Sequence, residues 1–258
     1  MNRVAVVALN TFREAVRDRV LYNLVFFALM MIAAAVLVGQ ISVGIEQEVI
    51  VTLGLSAISV IGLLIAVFIG VALVSKEMDK RTLYALLAKP VHRWQFLLGK
   101  FFGLLLTLFV NLIAMSVGLF AAMWFLKQSL VRSDLVILIA VYFILLKLAV
   151  VVALALLFSC YTTPLLSILF TAGLYVSGLF VKEMRTIHNE MTSRALQVFL
   201  RWLSYILPNF QNFDVMGAAA HGRSIPGSLV LENTAYAALY CAIVLVLASA
   251  VFSRKNLK

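Results

Sequence analysis

Uncharged apolar runs of membrane-spanning length recur through this chain, and they constrain its fold more than any other feature. A helix rising 1.5 Å per residue needs about 20 such residues to cross the hydrocarbon core of a bilayer. The runs 20–39, 49–75 and 101–126 each meet that length. The run 135–181 is too long for one crossing and contains Tyr161-Thr162-Thr163-Pro164, where a proline cannot continue the preceding helix. It divides there into two. A last run covers 233–253, and none shows the ten-residue alternation of a membrane strand. Composition agrees. Of 258 residues, 64% are hydrophobic and 12% charged, about half the charged share of a soluble domain. A soluble globule of this size cannot hide so much apolar surface. The expected fold is an all-α membrane protein, a single transmembrane domain over 1–258. Its six transmembrane helices are expected at about 20–39, 49–75, 97–126, 135–160, 164–181 and 233–253.

Six crossings place both ends on one side, and the charges indicate which. The segments proposed to lie inside carry thirteen cations, among them Arg13, Arg17, Lys80, Arg93 and Lys255, against the four acids Glu14, Asp18, Glu77 and Asp79. The outside segments hold seven of each sign, and Lys147 lies within a span. The whole net charge of +10 thus arises from one face and that lysine. The positive-inside rule assigns the basic face to the cytoplasm, and such a distribution fits a membrane surface rather than nucleic acid. The expected location is the cell membrane, inner or plasma, of a bacterium. Ala33-Ala34-Ala35 imitates a signal-peptide cleavage site, but the charged region before it is too long, includes acids and leads into a full span. Cys160 and Cys241 fall at different depths of their spans, so no disulfide is expected.

The segments outside the spans are patterned. Over 3–19, Leu9, Phe12, Val16 and Val20 recur at helical spacing, with Arg13, Glu14, Arg17 and Asp18 opposite. This predicts an amphipathic elbow helix in the inner headgroup layer, its arginines near anionic lipid. The loop 75–100 reads SKEMDKRTLYALLAKPVHRWQFLLGK. Leu83, Leu86 and Leu87 form a short apolar stripe, Pro90 ends it, and Trp94 opens the next helix. A merely solvated loop has no need of these apolar residues together, so the pattern predicts a short helix that docks in a groove on a soluble partner.

Glu77, Thr82-Leu83, Leu86-Leu87, Pro90, Arg93 and Gly99-Lys100 together resemble the first cytoplasmic loop of type-2 ATP-binding-cassette (ABC-2) permeases. Arg81 stands where those proteins usually have glycine before the Thr-Leu pair. The layout of the whole chain is similar too, from the N-terminal elbow through Leu207-Pro208-Asn209 to the basic tail beginning at Phe252. The resemblance implies that the loop is a coupling helix seated on a cytosolic ABC ATPase subunit, with Glu77, Thr82, Leu83, Leu86, Leu87, Pro90 and Arg93 as coupling residues. It also implies pairing with a second copy of the chain as a homodimer. No cofactor is expected in this chain, because ATP and magnesium would be held by the partner. Gly99-Lys100 is followed by Phe101, and Trp94 stands where a P-loop begins with glycine, so the chain has no ATP site of its own. It is not expected to be an enzyme.

The outer segment 182–232 carries a helical stripe of Leu196, Phe199, Leu200, Leu203 and Leu207, with Trp202 and Tyr205 as interface anchors. This predicts a helix on or dipping into the outer leaflet. Met184, His188, Glu190, Met191 and His221 are potential ligands, but their spacing matches no metal pattern, and no metal site is expected. Catalytic residues are likewise absent: there is no His-Glu-x-x-His, no Gly-x-Ser-x-Gly and no intramembrane carboxylate pair. Lys147 is the one charge well inside a span and predicts a polar cavity or bundle-interior position near Asn111, a candidate substrate pathway. Small residues four apart (Gly62, Ala66, Gly70; Ala114, Gly118, Ala122; Gly99, Gly103) predict close helix packing. The function these readings support is the permease subunit of an ATP-driven exporter-like transporter. The alternative is a non-transporting membrane subunit that passes ATPase motion to a periplasmic or extracellular partner. An ion-driven transporter would need intramembrane acids or broken helices in matching halves, and neither is evident.

Overall fold

In lipid every backbone N–H and C=O must be satisfied within the protein, and a helix does this residue by residue. The computed structural model describes residues 3–42, 44–79, 92–127, 132–190 and 194–254, and all regular structure among them is helical. The elements are α1 (Arg3–Val16), α2 (Arg19–Ile41), α3 (Glu46–Asp79), α4 (Arg93–Lys127), α5 (Val136–Ser159), α6 (Pro164–Leu179), α7 (Val181–Glu190), α8 (Arg194–Ile206), α9 (Met216–Ala220) and α10 (Gly227–Arg254). Five of them, α2, α3, α4, α5 and α10, are long and apolar enough to cross a membrane. The sixth apolar helix, α6, has 16 residues, about 24 Å at helical rise and short of a 30 Å core. The last helix opens at Gly227, before the apolar run itself begins.

The two ends of the bundle are defined by contacts between distant segments. At one end the start of α4 meets the end of α10, where the Phe96 and Phe252 rings stack at 6.2 Å, and Cys160 below α5 joins the same cluster. At the other end Gln47 at the start of α3 donates to Asp134 beside α5 at 3.3 Å. The turn between α5 and α6 lies at the first end. Pro164 opens α6 as a first-turn proline, since it has no N–H to leave unpaired there. α6 then runs to the second end, where Tyr175 meets Phe210 with ring centroids 5.0 Å apart.

Hydropathy all round marks a buried helix. α5 is such a helix, with Phe143, Leu148 and Val150–Ala153 wholly buried against α3, α4, α6 and α10. The apolar window of α3 is 67% buried, whereas that of α2 is 22% buried. α2 is therefore peripheral. Phe26 and Leu37 on α2, Phe125 on α4 and Val246 on α10 stand more than half exposed around the outside. So broad an apolar exterior suits hydrocarbon rather than water.

α1 packs differently from what its apolar stripe suggests. Val4, Val7, Ala8, Thr11 and Ala15 lie on one face by helical period. That face carries the two buried residues of the helix, Thr11 and Ala15, and packs on α4. A β-carbon at Gly103 would fall 2.6 Å from the Ala8 carbonyl oxygen, and one at Gly99 would meet Val7 at 2.5 Å. Leu9 of the expected stripe is 41% exposed, and Val20 belongs to α2 beyond the break at Arg17-Asp18. α1 thus has a small-residue face on protein, an apolar face directed away from it and a polar face.

In α3, a β-carbon at Gly62 would lie 2.6 Å from Leu148 and one at Gly70 3.6 Å from Ala155, so the small-residue stripe seats α5 within this chain. In α4, Gly118 likewise admits Leu29 of α2.

Gly103→Leu is expected to displace α1 and to cost about 1–3 kcal/mol, as overpacking does. Gly173→Leu, where nothing lies within 4 Å, is expected to be neutral. Thermal unfolding of the purified protein with trypsin cleavage after Arg13 or Arg17 checks both; equal behaviour of the two variants contradicts this packing.

Candidate functional site

Three places gather the polar groups of this apolar bundle. The first is the end that holds α1. The end of α3 and the start of α4 flank residues 80–91 in the sequence there. Of the coupling residues expected from sequence, Thr82, Leu83, Leu86, Leu87 and Pro90 lie outside the described residues. Glu77 and Arg93 belong to α3 and α4 by backbone, their side chains outside what is described. What the structure does show is how the base of α4 is held. Lys100 is 1% exposed beneath α1, with its Nζ 3.8 Å from Glu14 Oε2 and 5.8 Å from the Phe96 ring centroid. Such partners replace part of the hydration that a covered ammonium loses. Phe96 in turn stacks on Phe252. The base of α4 is therefore joined to both α1 and α10.

The second place is the core. Lys147 of α5 is 6% exposed, and its Nζ donates to Ser59 Oγ of α3 at 2.6 Å. Asn111 of α4 is also buried, but its Nδ2 donates to the Thr107 carbonyl of its own helix at 2.7 Å. Among the described residues no hydrogen bond joins Lys147 to Asn111. A lone ammonium at mid-membrane costs at least about 2.5 kcal/mol. The hydroxyl acceptor reduces that cost.

The third place is the opposite end. After α8 the chain turns at Pro208 and inserts Phe210 and Phe213, both 1% exposed, into the bundle. Tyr236 of α10 accepts a hydrogen bond from the Asn209 amide at 2.9 Å, and Tyr240 donates to the Ile206 carbonyl at 3.1 Å. α9 continues against α3 and α5. Beside it a polar pocket of about 460 Å³ is lined by residues including Gln211, Asn212, Asp214, Glu232, Asn233 and Tyr236. Gln211 donates to both oxygens of Glu183, at 2.8 and 2.9 Å, and its own Oε1 has no hydrogen-bond partner. His221, one of the possible ligands in the sequence, sits with its Nδ1 2.9 Å from Glu48 Oε1 and so links this segment to the start of α3. His188 and Glu190 have side chains outside the described set, and Met191 lies outside it altogether. Among the described residues no three His, Cys, Asp or Glu side chains gather.

Sequence reasoning did not find Ser59, Asp214 or the Glu14–Lys100 pair. A serine 88 positions from its lysine has no local signal, because only the crossing of α3 and α5 brings them together. The Glu14–Lys100 pair had a partial one: each lies at helical spacing from the small residues that pack α1 on α4.

The fold and these sites define a class: a multi-pass helical membrane protein whose two longest helices flank residues 80–91 in the sequence. Residues 5–257 match the family model described as ABC-2 family transporter protein, so the chain belongs to that family. Members are the transmembrane component of their transporters and normally have no ATPase domain of their own. They generally pair with an ABC ATPase. No curated protein matches the chain.

Lys147→Met replaces a buried charge by an apolar chain of similar size and is expected to leave thermal stability unchanged or raise it. Ser59→Ala alone, which strips an acceptor from the ammonium, is expected to cost about 1–3 kcal/mol. In the Lys147→Met background the same change should cost less than about 0.5 kcal/mol. Equal costs of Ser59→Ala in the two backgrounds, measured by chemical or thermal unfolding, contradict the pair.

Proposed function

We propose that this chain is the permease subunit of an ATP-driven, exporter-like transporter whose energy comes from a separate cytosolic ABC ATPase. The observation that carries the reading is the pair α3 and α4. Their 34 and 35 residues correspond to about 50 Å each, well beyond a 30 Å hydrocarbon core. The excess lies partly where they bracket residues 80–91, whose Thr82, Leu83, Leu86, Leu87 and Pro90 carry the coupling pattern. Two long helices joined by a short docking segment act as a lever. Movement of that segment is passed through Phe96 to α10 and through Lys100 to α1.

In this reading the α1 end faces the cytoplasm, as the basic excess requires. α1 is the elbow at the inner headgroup layer, and α6 completes a sixth crossing with the help of the first turn of α7. α8 lies at the outer leaflet, where Trp202 and Tyr205 are two-thirds exposed and act as interfacial anchors. Two copies pair, and each seats one ATPase. ATP binding shifts the pair between inward-facing and outward-facing or compressed states. Lys147 and Ser59 mark the polar part of the route between the core and the pocket at the outer end. The rival reading, a subunit that signals mechanically to an outer partner, draws on the exposed face of α8. Stimulation of ATP hydrolysis by a transported compound supports the permease, whereas stimulation by an outer protein alone supports the rival.

Leu86→Asp is expected to abolish co-purification of the ATPase subunit while elution volume and unfolding temperature of the membrane subunit stay unchanged. Retained stoichiometric binding contradicts the assignment of the coupling segment.

A further inference from the structure

At the corner between α1 and α2 lies a polar cleft of about 810 Å³, lined by Asn10, Arg13, Glu14, Arg17, Asp18 and Arg19, with Leu73 of α3 at one wall. Its two acids are already engaged. Glu14 pairs with buried Lys100. Asp18 caps α2, its Oδ1 accepting the Val20 amide at 3.0 Å. Among the described residues none of the three guanidiniums has a carboxylate partner. Three arginines therefore face one open cleft with their local counter-charges directed elsewhere, and Asn10 adds a neutral polar group.

The surroundings identify the occupant. Val6 and Leu9 on α1 and Val20, Tyr22 and Phe26 on α2, all close to the corner, are large apolar side chains left exposed. Three cations lining a cleft, with exposed apolar side chains on the same two helices, suit a molecule that is anionic at one end and hydrocarbon at the other. A soluble anion would leave those side chains in water, and an acidic protein surface would leave them unpaired. Guanidinium groups bind phosphate oxygens through paired N–H donors, which suits a phosphodiester better than a point charge does. Basic clefts at membrane helix ends take such headgroups.

We propose that this cleft is a specific site for an anionic phospholipid headgroup, bound through Arg13, Arg17 and Arg19 with its acyl chains along α1 and α2. The inference rests on the reading of α1 as a helix at the membrane surface. It adds a defined, saturable site to that general placement. Because Glu14 reaches from the same corner to Lys100 at the base of α4, the bound headgroup braces the junction through which the coupling segment moves.

The test uses the full chain purified in an uncharged detergent, titrated with phosphatidylglycerol, with phosphatidylcholine and with inorganic phosphate. Unfolding temperature and native mass spectra are the two readouts. Phosphatidylglycerol is expected to raise the unfolding temperature by a few degrees and to saturate, with little effect from the other two. The triple variant Arg13→Gln, Arg17→Gln, Arg19→Gln should bind it about tenfold more weakly or worse, a change of about 1.4 kcal/mol. Arg201→Gln on α8 should bind it as the unaltered chain does. Should the triple variant fail to fold, Arg13→Gln and Arg17→Gln singly must each lower the number of retained lipids in the mass spectra. Equal response to phosphatidylcholine, equal response to inorganic phosphate, or full lipid binding by the arginine variants each overturns the proposal. These readouts need neither ATP nor the ATPase, so their failure is distinct from failure of the permease reading.

Discussion

Close approach of helix backbones at small residues is the constraint on which this structure depends. Lipid removes the hydrophobic drive between helices, since hydrocarbon outside is as apolar as leucine inside, and leaves dispersion contacts and a few polar links to hold the bundle. Gly99 and Gly103 open a groove that admits α1 to van der Waals distance, and Gly62 and Gly70 do the same for α5 on α3. Without those absent side chains, α1 could not lie low enough on α4 to cover Lys100, and α3 could not bring Ser59 to Lys147. Packing thus determines where the few charges of the interior can be tolerated.

Those charges lie along lines that mechanical coupling would use. α3 and α4 flank residues 80–91, and the base of α4 is tied to α10 by stacked rings and to α1 by a covered ion pair. A displacement applied between α3 and α4 cannot be absorbed locally, because close-packed interiors transmit strain rather than yield to it. It moves α1 and α10 together, with α5 wedged between α3 and α10. Membership of the ABC-2 family makes ATP-driven motion of a separate subunit the natural source of that displacement. The opposite end carries a polar pocket, an inserted aromatic pair and a His221–Glu48 link between exposed side chains.

Much of the helical layout was legible in the sequence, because run length is dictated by bilayer thickness and a proline between two apolar runs is accommodated at a helix start. The five long helices fall where the longest uncharged runs lie, and α6 begins at Pro164. α1 was legible only in part. Its amphipathic period and an apolar stripe turned to the headgroup layer were read, but the small-residue face that packs on α4 was not. Leu9 points away from the protein while Thr11 and Ala15 pack against it. For Lys147 the sequence indicated burial but not the partner, since Asn111 bonds to its own helix and Ser59 comes from a crossing that no local pattern encodes. Leu83, Leu86, Leu87 and Pro90 were legible as a docking pattern, Glu77, Thr82 and Arg93 only through resemblance, and five of the seven lie outside the described residues.

The central claim is that this chain works as the membrane half of an ATP-driven machine. ATP hydrolysis measured on the complex purified through a tag on this chain, before and after the soluble subunit is stripped away, tests it most directly. The account predicts hydrolysis that disappears on stripping and returns when the ATPase subunit is added back. Hydrolysis that stays with the stripped chain, or a purified chain that brings no ATPase with it and drives transport from an ion gradient alone, contradicts it.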